Sequence, residues 1–577
     1  MSVVVRRAGL LLRLARWLVT RNHFDLDYRP DGLGEHFVSA RTAAGLVPDR
    51  SVVLCCGIAA HHRPAILYRA IRERYTATQH PAGLTWCGVG GLGGRGRSPG
   101  TLEELGIPGL VTTAILGHLE TVKSFLELAS QGHMQLSTLP QGQYAFLIEG
   151  QAAGRTSSRS PVGVGSFLDP RVGPGSRVTS GTQPQLVEAA GDELNYRLPR
   201  LDVAILAAPH ADVHGNIYVD GAVCVTEIRD AARAARANGG TVIALVADIV
   251  AHDPERIYLP ATNVDAIVVD PRSEQTGTVP QRRPWPGLTL EGTPRPQELL
   301  DDMRFVNRLA GITPTRTPTD RALARFVATI MADSIGPGSL LNIGVGLPEE
   351  VARLAFDAGL TDTVTFSSET GVIGGIPASG VFFGAAVNPR HIDGSATVFH
   401  LYERGLDFAC FGMLEADSDG NVNVSRRGPD PLDDVGPGGL PDIAHHARTV
   451  VFMGAFARGE KLGLRSGLVR VRRQGTPKLV PAVREITFSG PHALRRGQQV
   501  WYATPRCLLR LTETGLELAA VMPGIDIERD ILQATAARIL LPTGAAAAIP
   551  VLGSSVTTGQ GFTLTLTGKA SVQPFPA

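Results

Sequence analysis

Continuous apolar runs closed by glycine turns recur along this chain. Ser51-Val52-Val53-Leu54-Cys55-Cys56-Gly57 is one, followed by a helical stretch near Ala65 to Arg74. Ser339-Leu340-Leu341-Asn342-Ile343-Gly344-Val345-Gly346 is another, followed by a helical stretch near Glu349 to Asp357. Thr241 to Val246 and Thr449 to Met453 are later apolar runs, each preceded by an alanine-rich helical stretch (Asp230 to Ala237; Ile443 to Ala447). Runs with no polar alternation predict strands buried on both faces. Strands of that kind, alternating with helices, predict largely parallel sheets covered by helices.

The pattern is duplicated. Leu201-Asp202-Val203-Ala204 recurs as Leu406-Asp407-Phe408-Ala409, and Ala211-Asp212-Val213-His214-Gly215-Asn216-Ile217-Tyr218-Val219 recurs as Ala416-Asp417-Ser418-Asp419-Gly420-Asn421-Val422-Asn423-Val424. The offset is 205 throughout, with eight identities in nineteen positions, where chance gives roughly one. The expected fold is therefore two related open α/β domains with largely parallel sheets in one chain. A ligand cleft is expected where their glycine turns face each other. The boundaries read as an N-terminal extension over 1–36, a first domain over 37–270, a proline-rich linker over 271–318, a second domain over 319–550 and a tail over 551–577. Eight prolines between Pro271 and Pro318 predict little regular structure in the linker. The Gly/Ser/Thr-rich tail reads as an appended segment such as a β-hairpin.

Composition narrows the function. The chain of 577 residues has 43% hydrophobic residues and a net charge of +1, so no basic stripe points to nucleic acid. Six scattered cysteines form no C-x-x-C pair and read as reduced, buried thiols of a cytosolic protein. The histidine pairs His61-His62 and His445-His446 have no metal-ligand spacing, so no metal is expected. Met1 to Phe24 holds five arginines, no acid and a broken leucine run. It is too interrupted to span a bilayer and lacks a secretory cleavage site. It reads as a helix that docks on the protein or on a membrane surface, with an organelle presequence as the alternative.

One carboxylate stands out. Glu369 follows the short apolar run Val364-Thr365-Phe366 and opens a segment with Gly371, Gly374, Gly375 and Pro377, which forbids an ordinary helix or strand. A ligand can approach such a loop closely, and a free glutamate titrates near ~4.3, so the expectation is a nucleophile ionised without help.

Taken in order, these motifs resemble the class I coenzyme A transferases of the fused single-chain type, such as acetate/3-ketoacid and propionate CoA-transferases. The resemblance runs from about Phe37 to about Pro550. Its glutamate loop, Glu-x-Gly-x-x-Gly-Gly-x-Pro, is Glu369 to Pro377, continuing into Phe383-Gly384-Ala385-Ala386-Val387-Asn388. Asn342-Ile343-Gly344-Val345-Gly346-Leu347-Pro348, Gly420-Asn421-Val422-Asn423-Val424-Ser425, Leu139-Pro140-Gln141-Gly142 and Gly165-Ser166-Phe167-Leu168-Asp169-Pro170-Arg171 match further family segments.

The resemblance implies that Glu369 is the nucleophile of a ping-pong exchange, carrying CoA as a glutamyl thioester. It implies Gln141 and either Gly438 or Gly439 as donors to the developing oxyanion. Gly344, Gly346, Gly374, Gly375, Asn388 and Asn423 would contact CoA or substrate, with tight strand–helix packing the competing reading for Gly344 and Gly346. It also implies acyl-CoA and small carboxylic acids as substrates, CoA as co-substrate with no permanently bound cofactor, and a cytoplasmic homodimer or homotetramer. The loop Cys56-Gly57-Ile58-Ala59-Ala60-His61-His62-Arg63-Pro64-Ala65 departs from the family's Pro-Glu turn, so substrate specificity is not carried over. An acyl-CoA hydrolase on the same fold and a non-catalytic CoA-binding protein are the rival functions.

Overall fold

Each half is built on one large sheet. The computed structural model describes residues 3–21, 23–94, 98–181, 183–543 and 548–569. In the first half the strands are β1 (Val52–Cys55), β2 (Leu84–Gly88), β3 (Val111–Leu116), β4 (Gln135–Thr138), β5 (Val203–Asp212), β6 (Thr241–Val250) and β7 (Ala266–Val269). They lie in the order β7-β6-β5-β1-β2-β3-β4 with every pair along that path parallel, and the two-residue strand Ile217–Tyr218 adds antiparallel to the end of β5. In the second half β8 (Leu340–Ile343), β9 (Thr365–Ser367), β10 (Val372–Ile373), β11 (His391–Ile392), β12 (Leu406–Gly412), β13 (Ala447–Met453), β14 (Gln499–Ala503), β15 (Cys507–Thr512), β16 (Gly515–Val521) and β17 (Ile539–Leu540) follow the order β11-β10-β9-β8-β12-β13-β14-β15-β16-β17. The block β9-β8-β12-β13-β14 is parallel, and antiparallel pairs flank it at β9-β10, β10-β11, β14-β15 and β15-β16.

The sequence repeat has a physical basis. Asp202 and Asp407 play one role in two places: each carboxylate accepts the backbone N–H at the start of the neighbouring strand, Val52 at 2.8 Å and Leu340 at 3.0 Å. Asp212 and Asp417 likewise accept N–H bonds from their own turns, at His214 and Asn216 and at Asp419 and Asn421. Apolar cores fill both faces of both sheets. Each fully buried Val, Leu or Ile in them contributes about 1.5–3 kcal/mol, and that burial holds the strands in register.

Three expectations change. The proline-rich stretch is not a tether. It contains a short hairpin (Glu274–Thr276 with Val279–Pro280) and the helix α1 (Pro296–Leu309). Pro296 stands at the first helical position, where its missing N–H costs nothing. Leu288, Leu300, Met303 and Val306 pack with Ile58 of the first half and with Val372, Ile376 and Phe382 of the second. The stretch is thus a wedge in the junction. The tail holds no hairpin among its described residues: it forms the short helix Ser554–Thr558, and Phe562, Leu564 and Leu566 pack on the second core. The glycine-rich loop, finally, does contain strand, in pairs two residues long (Val372–Ile373 and Ile376–Pro377).

Candidate active site

Glu369 lies in the turn between β9 and β10. The turn closes through Ser368 N–H to the Val372 carbonyl, Gly371 N–H to Ser368 and Gly374 N–H to Phe366. Gly371 has φ +93°, and a Cβ there would stand 1.8 Å from the Asp393 carbonyl oxygen, so only glycine fits. The Thr370 hydroxyl donates to the Gly384 carbonyl and ties the turn to the returning loop.

The Glu369 carboxylate is half-buried. Ser368 Oγ donates to its Oε2 at 3.2 Å. The surrounding protein raises its pKa by desolvation; its own backbone N–H and the side chains of Ser368 and Asn342 oppose the shift. The sequence expectation is a nucleophile ionised without help. The structure supplies a carboxylate whose charge is disfavoured and partly rescued by hydrogen bonds. Asn342 is itself oriented by donating to the Ser367 carbonyl and the Tyr402 hydroxyl, at 3.2 Å each.

The two halves meet beside Glu369. Gln141 opens the helix α2 (Gln141–Ala152), and Gly439 caps the helix α3 (Leu440–His446). A methyl group added at Gly439 would stand 3.1 Å from Gln141 Oε1 and 3.7 Å from Glu369 Cβ, so the three residues converge. Gly438 is excluded as a free donor, because its N–H is spent on the Gly117 carbonyl at 2.9 Å. No partner accepts from the Gly439 N–H among the described residues. Gln141 Nε2 donates to the Val89 carbonyl at 3.1 Å, and its Oε1 is buried without a partner. The expected donor therefore turns its acceptor toward Gly439.

Asp442 is the residue that sequence reasoning missed. It is 1% exposed. Its carboxylate accepts Gly142 N–H and Gln143 Nε2, both at 2.9 Å, across 300 and 299 residues of sequence. Burial pushes its pKa up to about 7 against those bonds. It clamps the first turn of α2 to that of α3, and with them Gln141 to Gly439. Glu227, also at the junction, accepts from Ser395 Oγ at 2.8 Å while its Oε2 is buried and unpartnered; burial raises its pKa to about 7. Nothing local in either stretch marks these carboxylates.

A small cavity adjoins the turn. It is lined by Ser367, Ser368, Gly374, Phe366, Phe383 and Glu349 among others. Gly374 is one of the residues that line it. Gly375 instead packs tightly, a Cβ there falling 2.5 Å from the Val387 and Asn388 carbonyls. Gly344 packs as well: its N–H bonds the Cys410 carbonyl at 2.8 Å, and a Cβ would be 3.1 Å from it. Gly346, with φ +96°, faces open space.

Asn388 and Asn423 are not presented to the site. Asn388 is used in both directions by the Thr293 backbone, and Asn423 by Arg426 and Glu415. The unusual His61-His62 loop is occupied too. Burial lowers His61 to about 4, so it is neutral; its Nε2–H donates to the Phe383 carbonyl and its Nδ1 pairs with Thr276 Oγ1, both at 2.8 Å. Burial lowers His62 to about 3, and its Nε2 accepts from Val223 N–H.

Comparison with known proteins follows the same lines. The family model for coenzyme A transferase matches residues 39–270. The caffeate CoA-transferase of Acetobacterium woodii is 32% identical over 506 residues, 86% of this chain and 93% of that protein. The chain belongs to the coenzyme A transferase family. The acetate CoA-transferase YdiF of Escherichia coli K12 is 31% identical over 507 residues, covering 86% of this CoA-transferase and 91% of its relative. The crystal structure of the YdiF apoenzyme from Escherichia coli O157:H7 matches with a TM-score of 0.79 at 26% identity, over 94% of this chain and 99% of that one. A YdiF thioester complex with CoA matches at 0.80 over 94% and 100%.

Proposed function

We propose that this CoA-transferase moves CoA reversibly from an acyl-CoA to a short carboxylic or 3-keto acid, through a covalent glutamyl thioester on Glu369. The observation that carries this reading is the convergence of Glu369, Gly439 and Gln141 at the junction of the two halves. The YdiF thioester complex with CoA supports a CoA-bound route in a close structural neighbour.

The Glu369 carboxylate attacks the thioester carbonyl, and CoA leaves as thiolate from the tetrahedral intermediate, giving a mixed anhydride. The thiolate attacks the glutamyl carbonyl and expels the first acid, leaving CoA on Glu369. A second acid reverses both steps. Thioester and anhydride remain activated, so acyl-transfer potential is retained. Each attack places negative charge on a carbonyl oxygen. The Gly439 N–H is the donor free to receive it, a contribution of ~2.7–4 kcal/mol. Gln141 joins only by turning its amide over and giving up the Val89 carbonyl. Desolvation of Glu369 serves the attack, since a carboxylate with less water to shed is a stronger nucleophile. Assembly as a homodimer or homotetramer belongs to the same reading.

The test is product analysis. Acyl-CoA is expected to be consumed only when an acceptor acid is present, with parallel double-reciprocal lines, and Glu369→Gln should reduce turnover to background while CoA still binds. Acceptor-independent release of free CoA would instead establish a hydrolase, and undiminished turnover by Glu369→Gln would refute the nucleophile.

A further inference from the structure

The N-terminal helix Val3–Thr20 docks on the protein through Arg6, Leu10 and Trp17. Arg6, 14% exposed, pairs with Glu298 at 2.7 Å and Asp302 at 2.8 Å on α1. Arg7 lies over the Phe305 ring, and Trp17 Nε1 donates to Glu274. Leu10 alone among its leucines is buried. The outward side is apolar: Val5, Leu11, Leu12, Leu18 and Val19 are 57%, 45%, 72%, 49% and 69% exposed. Val5, Leu12 and Val19 recur every seven residues, as do Leu11 and Leu18, so they form one stripe along the helix. Arg7 and Arg16 border the stripe on its two sides, and Arg13 is also exposed. An ordinary docked helix buries its apolar stripe; this one leaves it in solvent and docks through Arg6, Leu10 and Trp17.

Charge selects what covers the stripe. Arg7 and Arg16 border this face and residues 1–24 hold no acid, so pairing it with the same face of a second copy would set arginine against arginine. An anionic surface removes that conflict. No helix among the described residues is long and apolar enough to cross a membrane, and arginine-bordered apolar helices lie in the interface plane. We propose that this stripe docks on an anionic lipid surface, with Leu11, Leu12, Leu18 and Val19 entering the acyl boundary and the bordering arginines among the headgroups. The Arg6 pairs and the Trp17 bond fix the helix to the enzyme, so docking would hold the whole transferase at the surface. This inference is independent of the transfer mechanism.

The test uses the full chain and sedimentation with vesicles. The protein is expected to pellet with equimolar phosphatidylglycerol–phosphatidylcholine vesicles and not with pure phosphatidylcholine, with binding that weakens as salt rises. The pair Leu12→Glu/Val19→Glu should weaken binding at least tenfold. Arg7→Gln/Arg13→Gln should weaken it roughly 25-fold, at about fivefold per arginine. Both should leave turnover unchanged, since these residues lie outside the catalytic machinery, and retained turnover also shows that the variants are folded. Failure of the native protein to bind anionic vesicles, or equal binding by folded variants, overturns the proposal. So does a native dimer that Leu12→Glu converts to monomer, which would put a second copy on the stripe.

Discussion

Replacing Asp442 tests whether the seam between the halves positions the chemistry. Its carboxylate satisfies two donors, Gly142 N–H and Gln143 Nε2, in a site 1% exposed to solvent. Asp442→Ala strands both. A buried unsatisfied donor costs about 1–3 kcal/mol, so the loss is roughly 2–6 kcal/mol before any cavity cost, a large share of the ~5–15 kcal/mol that holds a domain together. Asp442→Asn is the sharper probe. It keeps the shape and one acceptor, strands one donor, and should cost about 1–3 kcal/mol, so the protein stays folded. The first turns of α2 and α3 then lose half their clamp, and Gly439 and Gln141 shift relative to Glu369. A misplacement of about 1 Å costs ~10²-fold in rate. The expected outcome in steady-state transfer between acyl-CoA and acid is a kcat lower by roughly 10²-fold with KM within a few-fold, alongside a melting temperature lowered by several degrees. A folded Asp442→Asn protein with kcat within twofold of the native value would refute the reasoning.

Two further outcomes follow from the same geometry. Gly371→Ala places a Cβ 1.8 Å from the Asp393 carbonyl at φ +93°; it should abolish turnover and lower the melting temperature, as read by calorimetry, and a variant with native activity and melting would show that the Glu369 turn tolerates rearrangement. Glu227 titrates near 7 when folded, against an ordinary 4.5, so between those values the folded state holds the extra proton and stability falls as pH rises. The loss approaches roughly 3 kcal/mol above pH 7, and Glu227→Gln should flatten the melting temperature between pH 5 and 8; an unchanged slope would contradict the assignment.

What was legible in the chain was what is local or repeated. Thr241 to Val246 reads as a buried parallel strand because Val242 to Val246 are covered on both faces. The 205-residue offset reads as two halves because Asp202 and Asp407 tie sheet to strand in the same way. The Glu369 turn is visible because glycines are forced by crowded backbone, at Gly371 above all. What was hidden lies between distant segments. Asp442 meets Gly142 only after both sheets have formed, and the prolines of the stretch after 271 hide a packed wedge because Pro296 begins a helix instead of breaking one. Asn388 and Asn423 belong to the matched motifs yet spend their side chains on neighbouring protein groups, Thr293 for one and Arg426 and Glu415 for the other. The choice between Gly438 and Gly439 rests on one bond to Gly117.

The central claim concerns one covalent bond. After incubation with acyl-CoA and no acceptor acid, borohydride reduction and peptide mapping should find a single reduced side chain, at Glu369. Modification at another residue, or an unmodified Glu369 in a preparation that turns over, would contradict the account.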